Sequence, residues 1–425
     1  GGEASGGRSV ILPAMLKDAM REVLDRRLTS VLVLLSLAFV VACASFRFEK
    51  RSPEEAYAAI VRDLRHPVDP KARIESPADP KLHLSVCRPL LPEEVRSPEQ
   101  GGGYYLEIEV HDADAFKARL RSIVQSDREP TYDDGKLYLR DRFLRKGVED
   151  PSPSPKTEEG VFMIVVPPPN WDEVSRGYRI TALFGAMELD TPLSLAHFLA
   201  RLQMAIGILI AGAFGVLIAV IVTAGSIPAM LARGAADLLL PKPIGRGRLL
   251  LYKYVGGLFF VLLHATVLIG GTWAALAWRS GWWSPGYLGC ILVVTAFFAV
   301  LHAVSVLVGV VAKSAVGPIL ATLGTWTFCF FLGVWHELSD GELLGALPDQ
   351  ATRVLKGLYL VLPKAFDVVR VSTWFIMRGR SMDGPLAEDL EMDRLLDFTV
   401  VLGSSGAFIA VVLALACWVF SRRDY

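Results

Sequence analysis

The sequence predicts a mainly α-helical integral membrane protein with six transmembrane helices and an extracytoplasmic α+β domain between the first and second. Three observations carry this. Six apolar runs, near 28–46, 202–224, 254–278, 287–311, 315–335 and 398–420, hold few or no charges. A hydrocarbon core of ~30 Å needs about 20 such residues per helix. Between the first two runs lies a polar stretch, 47–197, long enough for a domain of its own. Basic residues gather at alternate ends of the runs, as an alternating topology requires.

Composition sets the frame. The 425 residues are 52% hydrophobic, with a mean hydropathy of +0.40, above that of soluble globular chains. Net charge is zero, so no overall field argues for nucleic acid. Of the five cysteines, Cys43, Cys290, Cys329 and Cys417 lie in apolar runs. Cys87 stands alone in the polar insert, which excludes an internal disulfide there. No CxxC pair supports a zinc ribbon or a redox motif.

Taken in order, residues 1–9 are rich in Gly and Ser. Over 10–27, Leu12, Leu16, Ala19, Val23 and Leu24 recur at helical spacing, which predicts an amphipathic helix in the interface or an extension of the first span. The first run contains Val40-Val41-Ala42-Cys43, a weak match to a cleavage box. The long preamble before it favours a retained anchor.

The insert opens on Ser52, Pro53, Glu54 and Glu55, a capping box with proline at the first helical position, so a helix follows over 56–64. Pro-rich connections cover 66–81 and 89–100. Alternation of Tyr104, Leu106, Ile108 and Val110 against Tyr105, Glu107 and Glu109 predicts a strand. A helix is expected over 114–125, strands over 136–140, 161–166 and 179–189, and a Pro-rich loop over 149–160. Beyond the fifth run, 337–397 carries Arg353, Lys356, Lys364, Asp367 and Arg370 among apolar residues. That charge density disfavours a crossing and predicts interfacial or re-entrant helices broken at Pro363.

Charge fixes the expected topology. Lys17, Arg21, Arg26 and Arg27 place the N-terminus in the cytoplasm, and Arg422 and Arg423 place the C-terminus there too. Lys313 and the basic cluster Lys242, Arg246, Arg248 and Lys253 fall on the same side. The loop 279–285, with Trp282 and Trp283 suited to an interfacial belt, falls outside, as do 47–197 and 337–397. The basic residues of 337–397 run against the charge rule, which constrains long loops weakly.

Most local motifs have plain explanations. Gly309-Val-Val-Ala-Lys313-Ser314 lacks the glycine that a phosphate loop needs before its lysine, so no ATP site is found in this chain. His111, Asp112 and Asp114 are metal-ligand types, but the two aspartates suit a helix start, and no metal site is assigned. His264 and His302 lie within apolar runs, where ionisable groups are functional candidates; a neutral, packed histidine is the competing reading. No Ser/His/Asp or paired-carboxylate spacing stands out, and no catalytic residue is assigned. Gly207, Gly212, Gly215, Gly256, Gly257, Gly270 and Gly271 would let helices approach closely.

The most informative stretch is 227–248, within the segment 225–248 between the second and third runs. It is too polar to cross a bilayer and too apolar for an idle linker. Gly234-Ala-Ala-Asp-Leu-Leu-Leu-Pro-Lys-Pro-Ile-Gly-Arg246, followed by Leu249-Leu-Leu-Tyr-Lys-Tyr-Val-Gly-Gly257, resembles the membrane subunits of type-two ABC transporters. In that family a Gly-x-x-x-x-Leu-Leu-x-x-Pro-x-x-Arg run follows the second span, and Gly234, Leu239, Leu240, Pro243 and Arg246 match it. An acidic residue often precedes that glycine, where Ala232 and Arg233 stand here. The six-span count, the N-terminal helix and the basic tail also resemble the family.

The resemblance implies a permease subunit, an exporter, whose cytoplasmic coupling segment contacts a separate ABC ATPase through Arg233, Gly234, Asp237, Leu239, Leu240, Pro243 and Arg246. It implies a second copy of the chain or a similar permease, an inner-membrane location, and ATP and Mg on the partner ATPase with no cofactor in this chain. Three readings compete. One is a lipid-bound interfacial helix at Lys242, Arg246 and Arg248. Another is a non-conducting sensor or envelope assembly factor, and the third a secondary transporter.

Overall fold

A computed structural model describes residues 27–63, 82–93, 102–112, 114–117, 161–166, 170–172, 174, 176–231, 245–312, 314, 316–340, 349–363, 367–377 and 398–422. The protein is mostly helical with a small sheet region. The chain divides into two compact units. Among the described residues, one holds 27–44 and 200 onward, and the other holds 45–199.

The second unit is built from two antiparallel sheets. β2 (Leu82–Pro89), β3 (Tyr104–Val110) and β4 (Val161–Val166) form one, in the order β2-β3-β4. Leu106 faces Cys87 and Ile164 across it. A register shift between Leu84 and Val86 leaves Ser85 as the extra residue, and its hydroxyl donates to Glu107 O at 3.1 Å. Helix α2 (Pro53–Asp63) packs Tyr57 and Val61 against Leu106, Ile108, Phe162 and Ile164. Its start is capped by Ser52 Oγ, which accepts the Glu55 N–H at 3.3 Å. Asp112 Oδ1 likewise accepts the Ala115 N–H at 2.9 Å, so this aspartate serves a helix start.

Burial and Glu54 push the Cys87 thiol up to about 11. Burial also raises the Tyr57 hydroxyl well above its ordinary value. The predicted strands over 104–110 and 161–166 are present. β2 has no counterpart in the sequence reading, although Leu82, Leu84 and Val86 alternate with His83, Ser85 and Cys87; the short run stands between the two Pro-rich connections 66–81 and 89–100. The predicted strand 136–140, the predicted N-terminal helix 10–27 except for Arg27, and the loop 149–160 lie outside the described residues.

The other sheet of this unit has the order β1-β5-β6: β1 (Arg47–Lys50), β5 (Tyr178–Ala182) and β6 (Met187–Leu189). The strand expected over 179–189 is instead a hairpin. Leu183, Phe184 and Gly185 all take positive φ, at 52°, 58° and 96°, and reverse the chain. For Leu and Phe that conformation costs roughly 1–2 kcal/mol each, so nothing in their side chains announces the turn. Arg176 pairs with Asp190 below it and holds that carboxyl under its usual range.

The other unit is helical. α1 (Arg27–Ala44) is apolar. α3 (195–224), whose residues 195–199 are counted with the sheet-bearing unit, runs from α-helical Leu195–Met204 through a π-helical stretch, Ala205–Gly215, to Val216–Ala224. After a turn at Gly225 comes the short α4 (Ser226–Met230). α5 (Arg246–Ser280) carries a π-turn at Thr266–Gly270 and ends on Gly281, left-handed at φ 74°. Then follow α6 (Gly289–Ala312), α7 (Val316–Asp340), α8 (Asp349–Val361), α9 (Asp367–Met377) and α10 (Phe398–Arg422).

Among the described residues five helices are long and apolar enough to cross a membrane: Leu195–Met230, Arg246–Ser280, Pro285–Ala312, Val316–His336 and Leu402–Arg422. The apolar part of α1, Thr29–Ala44, is shorter. At 1.5 Å per residue, the 18 residues of α1 extend ~27 Å, slightly under the hydrocarbon thickness.

Close helix packing follows from the glycines. A Cβ at Gly271 would lie 2.7 Å from Val40 Cγ2, so this glycine admits α1 against α5. One at Gly289 would fall on the Phe375 ring, so this glycine seats α9 against the start of α6. Ser372, Ile376 and Met377 of α9 are fully buried. α8 and α9 are separate helices on either side of Pro363, where the sequence reading expected a break.

Candidate functional site

Residues 232–244 lie outside the described residues, and with them Arg233, Gly234, Asp237, Leu239, Leu240 and Pro243 of the expected coupling segment. The residues on either side of that gap are described, and they meet. Ile227 and Met230 of α4 and Leu249 and Leu250 of α5 belong to one buried cluster, together with Val306 and Val310 of α6 and Ala416 and Phe420 of α10.

Local sequence explains each foot. Before the gap, Ser226 Oγ donates to Thr223 O at 2.7 Å and the Ala229 N–H to Gly225 O at 3.0 Å, which starts α4 at once after the turn. Gly309 of α6 leaves room for it, since a Cβ there would lie 3.2 Å from Ile227 Cβ. That is the role the structure gives the glycine of the false phosphate-loop match. After the gap, Gly245 O accepts the N–H groups of Arg248 (2.9 Å) and Leu249 (3.2 Å), closing the first turn of α5. Gly247 sits against α10, with its carbonyl 3.8 Å from Cys417 Sγ.

Arg246, half-buried, and Arg248, exposed, thus open a helix. Helix N-termini favour anions, and a cation there forgoes roughly 0.3–1 kcal/mol. Helical stability does not explain these arginines. Arg422, at the far end of α10, lies over the Trp418 ring at 4.5 Å, a cation–π pair of the kind found where one face is apolar and the other wet. The bundle end that carries both feet of the gap therefore also carries Arg246, Arg248 and Arg422.

Away from this end, His302 of α6 is 1% exposed. Its ring stacks between Tyr254 (5.3 Å, 9°) and Phe298 (4.9 Å, 18°). Tyr254 also donates its hydroxyl to Ala299 O at 3.0 Å, tying α5 to α6. Neither His302 nitrogen has a hydrogen-bond partner. Gly257 makes the arrangement possible, because a Cβ there would lie 2.5 Å from His302 Nε2. His264 has different neighbours: Phe260 stacks on it at 6.4 Å, and its Nε2 lies 3.3 Å from Ser36 Oγ of α1. Ser36 Oγ donates to Leu32 O at 3.0 Å, so the His264 Nε2–H is the donor to Ser36. The two histidines occupy separate contacts, α5–α6 for one and α1–α5 for the other. Gly257, Tyr254 and Ser36 escaped the sequence reading as their partners. Only the Gly256-Gly257 pair signalled a close approach.

A small apolar niche, with room for little more than one water molecule, opens between α3, α6 and α7, with Val216, Val220, Phe297, Leu301, Thr322 and Trp326 on its walls. Thr322 donates its hydroxyl to Pro318 O at 2.7 Å, so its polarity is satisfied within its own helix. Among the described residues, no three His, Cys, Asp or Glu side chains gather as a metal site. Over residues 16–425 the chain matches the family described as ABC-2 family transporter protein. No curated protein matches it.

Proposed function

The chain belongs to the ABC-2 transporter family, and on that premise we propose that it is the permease subunit of an ATP-driven exporter, worked by a separate ATPase through residues 225–248. The observation that carries this is the shared anchorage of α4 and α5 beside the coupling stretch. A segment whose two feet enter one buried cluster with α6 and α10 is braced as a lever. Displacement at 232–244 would move the four packed helices α4, α5, α6 and α10 together, because close-packed interiors transmit strain. Arginines at a helix start that does not favour them suit contact with an acidic partner surface or a cytoplasmic location.

In this reading both termini and 225–248 are cytoplasmic, α1 is the first of six spans, and 47–197 is extracytoplasmic. ATP and Mg bind the partner ATPase. Two permeases pair, and α7 and α10, which expose Leu320, Phe331, Leu402 and Val411, offer faces for lipid or a second copy.

The test is purification of the full chain from its native host in mild detergent, with ATP hydrolysis of the complex as readout. The expected result is a co-purifying ABC ATPase with Mg-dependent turnover. The pair Pro243→Ala and Arg246→Ala should lose that ATPase, or its transport-linked turnover, without changing the melting temperature of the permease. Unchanged capture and turnover in the double variant would sink the lever. Labelling of Leu238→Cys by an impermeant maleimide added to intact cells would sink the topology.

A further inference from the structure

We propose that the tip of the β5–β6 hairpin, Leu183-Phe184, is a foot that inserts into the lipid interface beside the end of α1. The tip is apolar and bare: Leu183 is 59% exposed, Phe184 72%, and Met187, the first residue of β6, 45%. Two bulky residues hold left-handed backbone to present it, at φ 52° and 58°, with Gly185 completing the reversal at 96°. Strain of that kind persists only where the surroundings enforce it, and it gathers at sites of function.

What enforces it is Ser45. The Leu183 N–H donates to Ser45 Oγ at 3.1 Å, and the Phe184 N–H to Ser45 O at 3.1 Å. Ser45 follows Ala44, the last residue of the apolar helix α1, and neighbouring Cα atoms are ~3.8 Å apart. The backbone of the tip is thus tied by hydrogen bonds to the residue that directly follows α1. An apolar helix ends at the headgroup level, so two unpartnered apolar side chains there meet lipid.

The flanks agree. Above the tip the hairpin turns polar at once, with Arg179 and Glu188 paired at 3.3 Å and Arg176 paired with Asp190. Phe46, the next residue after Ser45, stacks edge-on against Phe198 at 5.7 Å, and aromatic side chains are favoured at this level. The foot would fix the small β1-β5-β6 sheet against the membrane surface.

The inference rests on α1 lying in the bilayer, and the experiment separates the two. Benzoyl-phenylalanine is placed singly at positions 184, 187, 34 and 91 of the full chain. Each variant is reconstituted in nanodiscs of phosphatidylethanolamine and phosphatidylglycerol, irradiated and read by mass spectrometry. Leu34 is a 65% exposed residue of α1, and Leu91 a 56% exposed residue of the outer unit. The expected result is a phospholipid mass adduct at 184, 187 and 34 and none at 91. An adduct at 34 without one at 184 and 187 overturns the foot while leaving α1 in the membrane. No adduct at 34 overturns the placement of α1, and the foot with it. Adducts at 184 to a second copy of the chain or to another protein, or an equal lipid yield at 91, also overturn the foot.

Discussion

Adding one methyl group at Gly257 should break the contact that holds α5 to α6. A Cβ there would stand 2.5 Å from His302 Nε2, 3.1 Å from Cδ2 and 3.2 Å from Cε1. The first of these is about 0.9 Å inside the 3.4 Å at which ordinary contact begins. The imidazole cannot swing aside, because Tyr254 lies 9° from parallel on one neighbouring position and Phe298 18° on another. Relief must come from separating the helices, which would stretch the Tyr254 to Ala299 hydrogen bond of 3.0 Å. Overpacking of this size costs ~1–3 kcal/mol. Within a bilayer that loss is not offset by water, since helix association there depends on van der Waals fit.

The assay is reversible unfolding in mixed micelles titrated with SDS, for Gly257→Ala, His302→Ala and the double variant. Gly257→Ala alone should lower stability by ~1–3 kcal/mol. In the His302→Ala background the same methyl group enters vacated space, so its cost should fall by most of that amount, well outside the ~0.5 kcal/mol within which distant sites add. An equal cost in both backgrounds would refute the argument, as would no cost in either.

Two further expectations concern the sheet-bearing unit. With its thiol raised to about 11 by burial and by Glu54, Cys87 should be alkylated by iodoacetamide at pH 8 about a hundredfold more slowly in the folded protein than in the denatured chain; equal rates would refute its packing. The Asp190 carboxyl is held below its usual range by Arg176. Its contribution to stability is therefore complete above the unfolded value near ~3.9 and disappears as pH falls through the lower folded value. Because Asp190 is largely exposed, the effect is small. Melting curves of wild type and Asp190→Asn should coincide at acid pH and separate slightly as pH rises, and a gap that widens toward acid would reverse the assignment.

The amino-acid sequence by itself settles the class of this protein. Apolar runs of spanning length must form helices in lipid, where every backbone polar group needs an internal partner, and five of the six appear as helices long enough to cross. The Ser52 cap, the alternation of 104–110 and the break at Pro363 are also local effects, governed by a few neighbouring residues. Tertiary structure decided the rest. No local pattern pairs His302 with Gly257, 45 residues away, or seats Ile227 on Gly309. None shows that the chain on both sides of 232–244 roots in one cluster with α6 and α10. The turn at Leu183-Phe184 is clearest of all: neither residue prefers left-handed backbone, and hydrogen bonds to Ser45, far away in the chain, help hold them there together with the pairing of β5 and β6. Local propensity is a property of neighbours along the chain, whereas close approach and enforced strain belong to residues that folding alone brings together.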